Sequence, residues 1–225
     1  MPDAAVKRVL CYGDSNTWGF IGLPDGGPTT RLHRDQRWPG VLRAALGDGV
    51  EVIEEALNGR TTDAADPTHP EITGAGLDGA AYLPAALASH LPLDVVIIML
   101  GTNDTKAMFA RTPQRIAVGA KRLLDIVRTL DGGIGTEYPN PRALLLAPPP
   151  LGRLIPYFQE MFAGGEERSR GLAEPYATVA RLAGAAFLDA GTVVHTDGDD
   201  GLHLSVESHR ALGLAVAGKV RGLLG

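Results

Sequence analysis

Cysteine is nearly absent. Cys11 is the only one in 225 residues, so no intramolecular disulfide is possible. Its neighbours Val9, Leu10 and Tyr12 assign it to a buried strand, where a thiol is inert. Positive charge is also scarce: 21 Lys and Arg stand against 26 Asp and Glu, a net charge of −5, which excludes a basic nucleic-acid-binding surface. Long apolar runs are missing too. The best, 95–100, falls far short of the roughly 18 residues that span a bilayer, so no membrane partner is expected. Lys7 and Arg8 precede only a short apolar stretch before Gly13, too little for a secretory signal core, and a cytoplasmic setting is the expectation. What the chain does have is 44% hydrophobic residues, enough for one domain spanning 1–225 to build a core without disulfides or structural metal.

Those apolar residues alternate between short runs and amphipathic segments. Segments 8–12, 50–54, 94–100, 143–147 and 186–189 read as strands covered on both faces, because they are apolar without strict polar alternation. Ile116, Ala120, Leu123, Leu124, Val127 and Leu130 recur at helical spacing after Thr112 and Pro113. Further helices are expected over 36–46, 79–90, 166–182 and 205–224, the last capped by Ser205. The β-α alternation predicts an α/β protein: a flavodoxin-like three-layer α/β/α sandwich around about five parallel strands. Two connections, 20–35 and 58–79, are too long to be simple turns, and segments of that length usually carry function.

In open parallel sheets the ligand sits beyond the carboxyl ends of the strands, and three such ends carry reactive groups. Gly13, Asp14, Ser15, Asn16 and Thr17 follow the first strand and offer a hydroxyl at Ser15; alone, such a serine is more often a helix cap. Gly101, Thr102, Asn103 and Asp104 follow the third and offer the Asn103 amide. Asp200, Gly201, Leu202 and His203 put a carboxylate and an imidazole on one turn, so that Asp200 can fix the tautomer of His203 and stabilise its protonated form. Together these groups suit nucleophilic attack on an ester carbonyl and stabilisation of the resulting oxyanion.

The order Gly-Asp-Ser, then Gly-Thr-Asn-Asp, then Asp-Gly-Leu-His resembles the SGNH hydrolase (GDSL-type esterase) superfamily. Stretches such as HLPLDVVIIMLGTNDTKAMFARTP, APPPL and DGDDGLHLS are similar to its bacterial arylesterase/acyltransferase branch, sometimes called perhydrolases, over nearly the whole chain. The resemblance implies that Ser15 is the nucleophile, His203 the general base and then acid, and Asp200 its partner. It assigns the oxyanion hole to the backbone N–H groups of Ser15 and Gly59 and the side chain of Asn103, and makes Asp14 and Asp104 structural neighbours. It lines an acyl and alcohol channel with Trp18, Phe158, Phe162 and Leu202. The chain departs from the branch at Asn16, where an apolar residue is expected, and at Gly59, where alanine is. A polar Asn16 at the substrate site is expected to weaken the apolar character of the pocket. The resemblance further implies a small-molecule acyl ester substrate, transfer to an alcohol or peroxide acceptor in an apolar channel, no cofactor, and assembly into a homo-oligomer, often an octamer in this branch, through the long loops.

An α/β-hydrolase elbow needs Gly-x-Ser-x-Gly, but Thr17 stands where its second glycine belongs. His195, Asp197, Asp199, Asp200 and His203 invite a metal site, yet an EF-hand starting at Asp197 would meet Leu202 and Ser208 where it needs glycine and glutamate; a looser zinc or manganese site is the metal reading left open, although Asp-rich turns are more often solvated loops. His33, His69, His90 and His209 lack ligand spacing and read as surface or packing residues. No glycine-rich nucleotide loop follows a strand. A carbohydrate O-deacetylase is the second enzymatic reading, and a non-catalytic small-molecule binder the second class.

Overall fold

The computed structural model describes residues 6–69 and 72–225. Five strands form one sheet: β1 (Lys7–Gly13), β2 (Val50–Ala56), β3 (Val95–Met99), β4 (Arg142–Ala147) and β5 (Ala186–Asp189). All pairings are parallel, in the order β2-β1-β3-β4-β5. This is the flavodoxin-like order, which reverses direction between β1 and β3 and so opens a crevice at their carboxyl ends.

Side-chain alternation along the strands splits the core in two. Leu10, Tyr12, Val96, Ile98 and Leu145 face one layer, where they pack on α3 (Gly79–His90), α4 (Pro113–Arg128) and α7 (Ala173–Leu182) through Leu83, Leu123 and Tyr176. Val9, Cys11, Val95, Ile97 and Leu144 face the other, against α2 (Trp38–Leu46) and α8 (Val206–Leu224) through Trp38, Leu42, Leu212 and Val216. Because both faces are covered, β3 and the inner parts of β1 and β4 read as apolar runs, whereas the edge strand β2 also carries Glu51, Glu54 and Glu55 and is only partly buried.

Caps confirm two of the expected helix starts. Thr112 Oγ1 accepts from the Arg115 N–H at 3.2 Å, and Ser205 Oγ from the Ser208 N–H at 3.1 Å. The helix expected over 166–182 is instead two, α6 (Gly165–Arg170) and α7. The two are separated at Gly171, where a Cβ would stand 2.8 Å from the Pro113 ring that opens α4, so the close approach requires glycine. Two short helices, α1 (Ser15–Trp18) and α5 (Pro156–Gln159), lie in segments that the periodicity left without helix. Among the described residues no helix is long and apolar enough to cross a membrane.

Candidate active site

The crevice at the β1/β3 switch point holds the groups that the sequence singled out. Chain leaving β1 turns at Asp14, the N-cap of α1, whose Oδ1 accepts from the Asn16 N–H at 3.0 Å. Ser15 is therefore the first residue of a helix, with its side chain over the crevice edge of the sheet. Asp14 is buried and its Oδ2 has no partner among the described residues. Burial, against the opposing bond from Asn16, pushes its carboxyl up to about 7.

His203 arrives from the far end of the chain, between β5 and α8. Its Nε2 lies 3.0 Å from Ser15 Oγ, and its Nδ1 lies 2.6 Å from Asp200 Oδ2. All three residues are under a tenth exposed. Asp200 Oδ1 accepts from the backbone N–H groups of Leu202 and His203 at 2.8 and 2.9 Å, which closes the turn around the carboxylate. Burial raises this carboxyl, but the bonds from His203 and the two N–H groups outweigh it and hold Asp200 below the usual carboxylate range. It stands as an anion against Nδ1, so Nδ1 carries the proton and Nε2 faces the serine with a free lone pair.

Three N–H sources converge beside Ser15. The backbone N–H groups of Ser15 and Gly59 donate to no other group among the described residues. Gly59 has φ +81°, a left-handed conformation that strains any residue with a Cβ, so glycine is the natural occupant where alanine was expected. Asn103 Nδ2 gives one hydrogen to the Arg60 carbonyl at 3.1 Å, which fixes the amide and leaves its second N–H for the crevice. Asp104 ties the two donor loops together: it accepts from Thr62 N–H and Oγ1 at 2.9 and 2.6 Å and pairs with Arg111 at 2.7 Å.

A cavity of about 180 Å³ opens at Ser15, with Gly59, Asn103, Phe158, Phe162 and Leu202 in its wall. Two other residues assigned to that wall are elsewhere. Successive helical residues point about 100° apart, so Asn16 leaves Ser15's direction; Trp18, at i+3, stays near that face but is engaged by the loop that follows. Asn16 turns inward and bonds the Leu202 carbonyl at 3.2 Å and the Leu204 N–H at 3.1 Å. Trp18 lies under the Arg31 guanidinium, 4.9 Å from its ring centroid. The wall also contains residues that the sequence did not assign to it. Phe20 stacks on the His203 ring at 4.4 Å, because loop 20–35 folds back over the crevice. Tyr157 and Met161 extend the apolar part, and His69, read as a surface or packing residue, lines the cavity with Lys106. Of the remaining histidines, His90 pairs with Glu55 at 2.7 Å, His209 accepts the Trp38 N–H at 3.2 Å, and His33 is on the surface.

The acidic turn is otherwise engaged. Asp197 caps Ser205 through N–H and Oγ at 2.9 and 2.7 Å, and among the described residues no group of three or more His, Cys, Asp or Glu side chains converges as metal ligands would.

The GDSL-like lipase/acylhydrolase family model matches residues 11–211. The native aryl esterase of M. smegmatis is 51% identical over 96% of this chain and 99% of its own, with a TM-score of 0.92. Est24, a carbohydrate acetylesterase from Sinorhizobium meliloti, is 50% identical over 96% of this chain and 99% of its own, also at 0.92. A second carbohydrate acetylesterase family member from that organism is 41% identical over 97% and 99%, at 0.88. No curated protein matches the sequence. With a family model over most of its length and relatives at half identity from end to end, the chain belongs to the GDSL-like lipase/acylhydrolase family.

Proposed function

We propose that this chain is a serine esterase acting on small acyl esters through an acyl-enzyme at Ser15. The observation that carries the reading is the line Asp200–His203–Ser15, at 2.6 and 3.0 Å, beside the N–H groups of Ser15 and Gly59, which have no partner among the described residues. His203 Nε2 takes the Oγ proton as Oγ bonds to the ester carbonyl carbon. The carbonyl electron pair moves onto its oxygen, where Ser15 N–H, Gly59 N–H and Asn103 Nδ2 receive it. When that pair returns, the C–O bond to the alcohol breaks and Nε2 gives the proton to the departing oxygen. Water then repeats the sequence on the acyl-serine and releases the acid.

A fluorophosphonate probe tests this directly. Labelling at Ser15, abolished in Ser15→Ala and accompanied by turnover of 4-nitrophenyl acetate, is the expected result; a folded protein that neither labels nor turns over is a binder. A carbohydrate O-deacetylase is the second reading, supported by the near-equal likeness to Est24. Acetylated sugars compared with aryl acetates rank the two. The apolar part of the cavity also favours an alcohol over water at the acyl-serine. Ester formed from vinyl acetate and benzyl alcohol in buffer tests transfer, and acid alone refutes it. Self-assembly through loops 20–35 and 58–79 belongs to the same proposal, and a monomer mass in light scattering rejects it.

A further inference from the structure

The cavity wall contains a charged cluster that the ester chemistry above leaves unused. Lys106 is 2% exposed; its Nζ donates to Asp66 Oδ2 at 2.5 Å and lies 3.1 Å from His69 Nε2. The Asp66 side chain is fully buried, and its other oxygen accepts from the Thr68 N–H and Oγ1 at 2.9 and 2.6 Å. Both carboxylate oxygens are thus committed, and they hold the ammonium in place. An ammonium has three N–H bonds, and Asp66 and His69 account for two. A buried ion pair is often no more stable than a well-packed apolar pair of the same volume.

The position of the cluster is specific. The Lys106 N–H donates to the Asn103 carbonyl at 3.2 Å, which puts the lysine one tight turn beyond an oxyanion donor. His69 Nε2 lies 3.3 Å from where a Cβ on Gly59 would stand, against the other oxyanion loop. Lys106 and His69 thus line the same cavity as Ser15, Gly59 and Asn103, while Phe20, Tyr157, Phe158, Met161, Phe162 and Leu202 make it apolar elsewhere.

We propose that Lys106, oriented by Asp66 and His69, receives an acceptor oxygen of the substrate other than the scissile carbonyl. The site then selects esters with an ether or hydroxyl oxygen a few bonds from the reacting carbon over their alkyl counterparts. This rests on the esterase reading and adds a substrate class to it. The oxygen can belong to the acyl or the alcohol portion, and matched pairs distinguish them. For the acyl portion the pair is 4-nitrophenyl methoxyacetate and 4-nitrophenyl butyrate; for the alcohol portion, 2-methoxyethyl acetate and butyl acetate. Each pair differs by one oxygen in place of one methylene.

The quantity to measure is the ratio of kcat/KM within a pair, which is independent of the amount of folded enzyme. In Lys106→Met the ratio should fall about tenfold or more in one pair, the scale of a lost hydrogen bond from a charged donor. Because Lys106→Met leaves Asp66 buried without its cation, the double variant Asp66→Asn/Lys106→Met is measured beside it and should lose the same preference. A ratio unchanged in both pairs, with turnover retained, overturns the inference and leaves the esterase reading intact. No turnover of any of the four esters by the unsubstituted protein, with no label at Ser15, overturns both.

Discussion

The side-chain amide of Asn16 grips the backbone on both sides of His203: its Nδ2 donates to the Leu202 carbonyl at 3.2 Å and its Oδ1 accepts from the Leu204 N–H at 3.1 Å. Asn16 directly follows Ser15, so one buried amide couples the helix bearing the hydroxyl to the loop bearing the imidazole, across 188 positions of sequence. The position of the histidine backbone relative to the serine is set by this clamp as well as by the Asp200 turn.

Asn16→Ala should therefore lower kcat by about tenfold to a hundredfold with little change in KM, since sub-ångström misplacement of a proton acceptor costs rate without removing substrate contacts. In a His203→Ala background the same substitution should cost almost nothing further, because its effect passes through the imidazole. Additive losses in the double variant would mean that Asn16 acts in some other way.

The same residue marks where sequence reading ends. Ser15 and the Asp200–His203 pair were legible because each lies within a few residues of its local frame: a hydroxyl just past a strand, a carboxylate and an imidazole on one turn. The α4 helix was legible from its apolar stripe. Asn16 was expected at the pocket beside Ser15, but helical rotation turns it inward; Trp18 was placed there by the resemblance, and its ring lies under Arg31 instead. Phe20 over His203 and Lys106 against Asp66 depend on how loops 20–35 and 58–79 fold back, and no periodicity encodes that. The glycine between α6 and α7 answers to the Pro113 ring, far away in sequence, which leaves no room for a Cβ at Gly171.

Loop 20–35 is predicted to hold the histidine and its carboxylate from above. Phe20 stacks on the imidazole with a 29° tilt, and a Cβ on Gly22 would lie 2.5 Å from the Asp200 Cγ. Gly22→Ala must push either the carboxylate or the loop aside, and kcat for 4-nitrophenyl acetate should fall about tenfold or more. Gly27→Ala, in the same loop, would meet only the Asp25 carboxylate at 3.2 Å and is expected to leave kcat unchanged. Equal effects of the two would show that loop disturbance, rather than the Asp200 contact, is responsible.

Asn103 offers the side-chain donor to the oxyanion, and it is pre-positioned by the Arg60 carbonyl at 3.1 Å. Asn103→Ala removes that donor and should lower kcat by about 10²- to 10³-fold, with KM much less affected, because the bond strengthens only as the carbonyl oxygen becomes negative. Fluorophosphonate labelling of Ser15 should slow as well, since its phosphoryl oxygen uses the same donors. A variant with normal kcat and raised KM would make Asn103 a binding residue instead.

Asp14 gives the stability of the fold a pH dependence of its own. Burial pushes its carboxyl from 3.8 to about 7, while Arg60 and the Asn16 N–H oppose the shift and Asp104 reinforces it. Between these values the native state keeps a proton that the unfolded chain releases, so this group's contribution to stability falls as pH rises from about 4 to about 7. His209 acts with the opposite sign. Burial lowers its pKa from 6.5 to about 4, and native stability is lost as pH falls through that window. The two partly cancel, so the unsubstituted protein alone would conceal both. Asp14→Asn keeps an oxygen to cap Asn16 and removes only the titration. Its stability relative to the unsubstituted protein, from urea unfolding, should rise between pH 4 and pH 7.5 by about 1.4 kcal/mol for each unit of the shift, or a few kcal/mol in all. A difference between the two proteins that does not vary with pH would show that the buried carboxyl stays ionised in the native state.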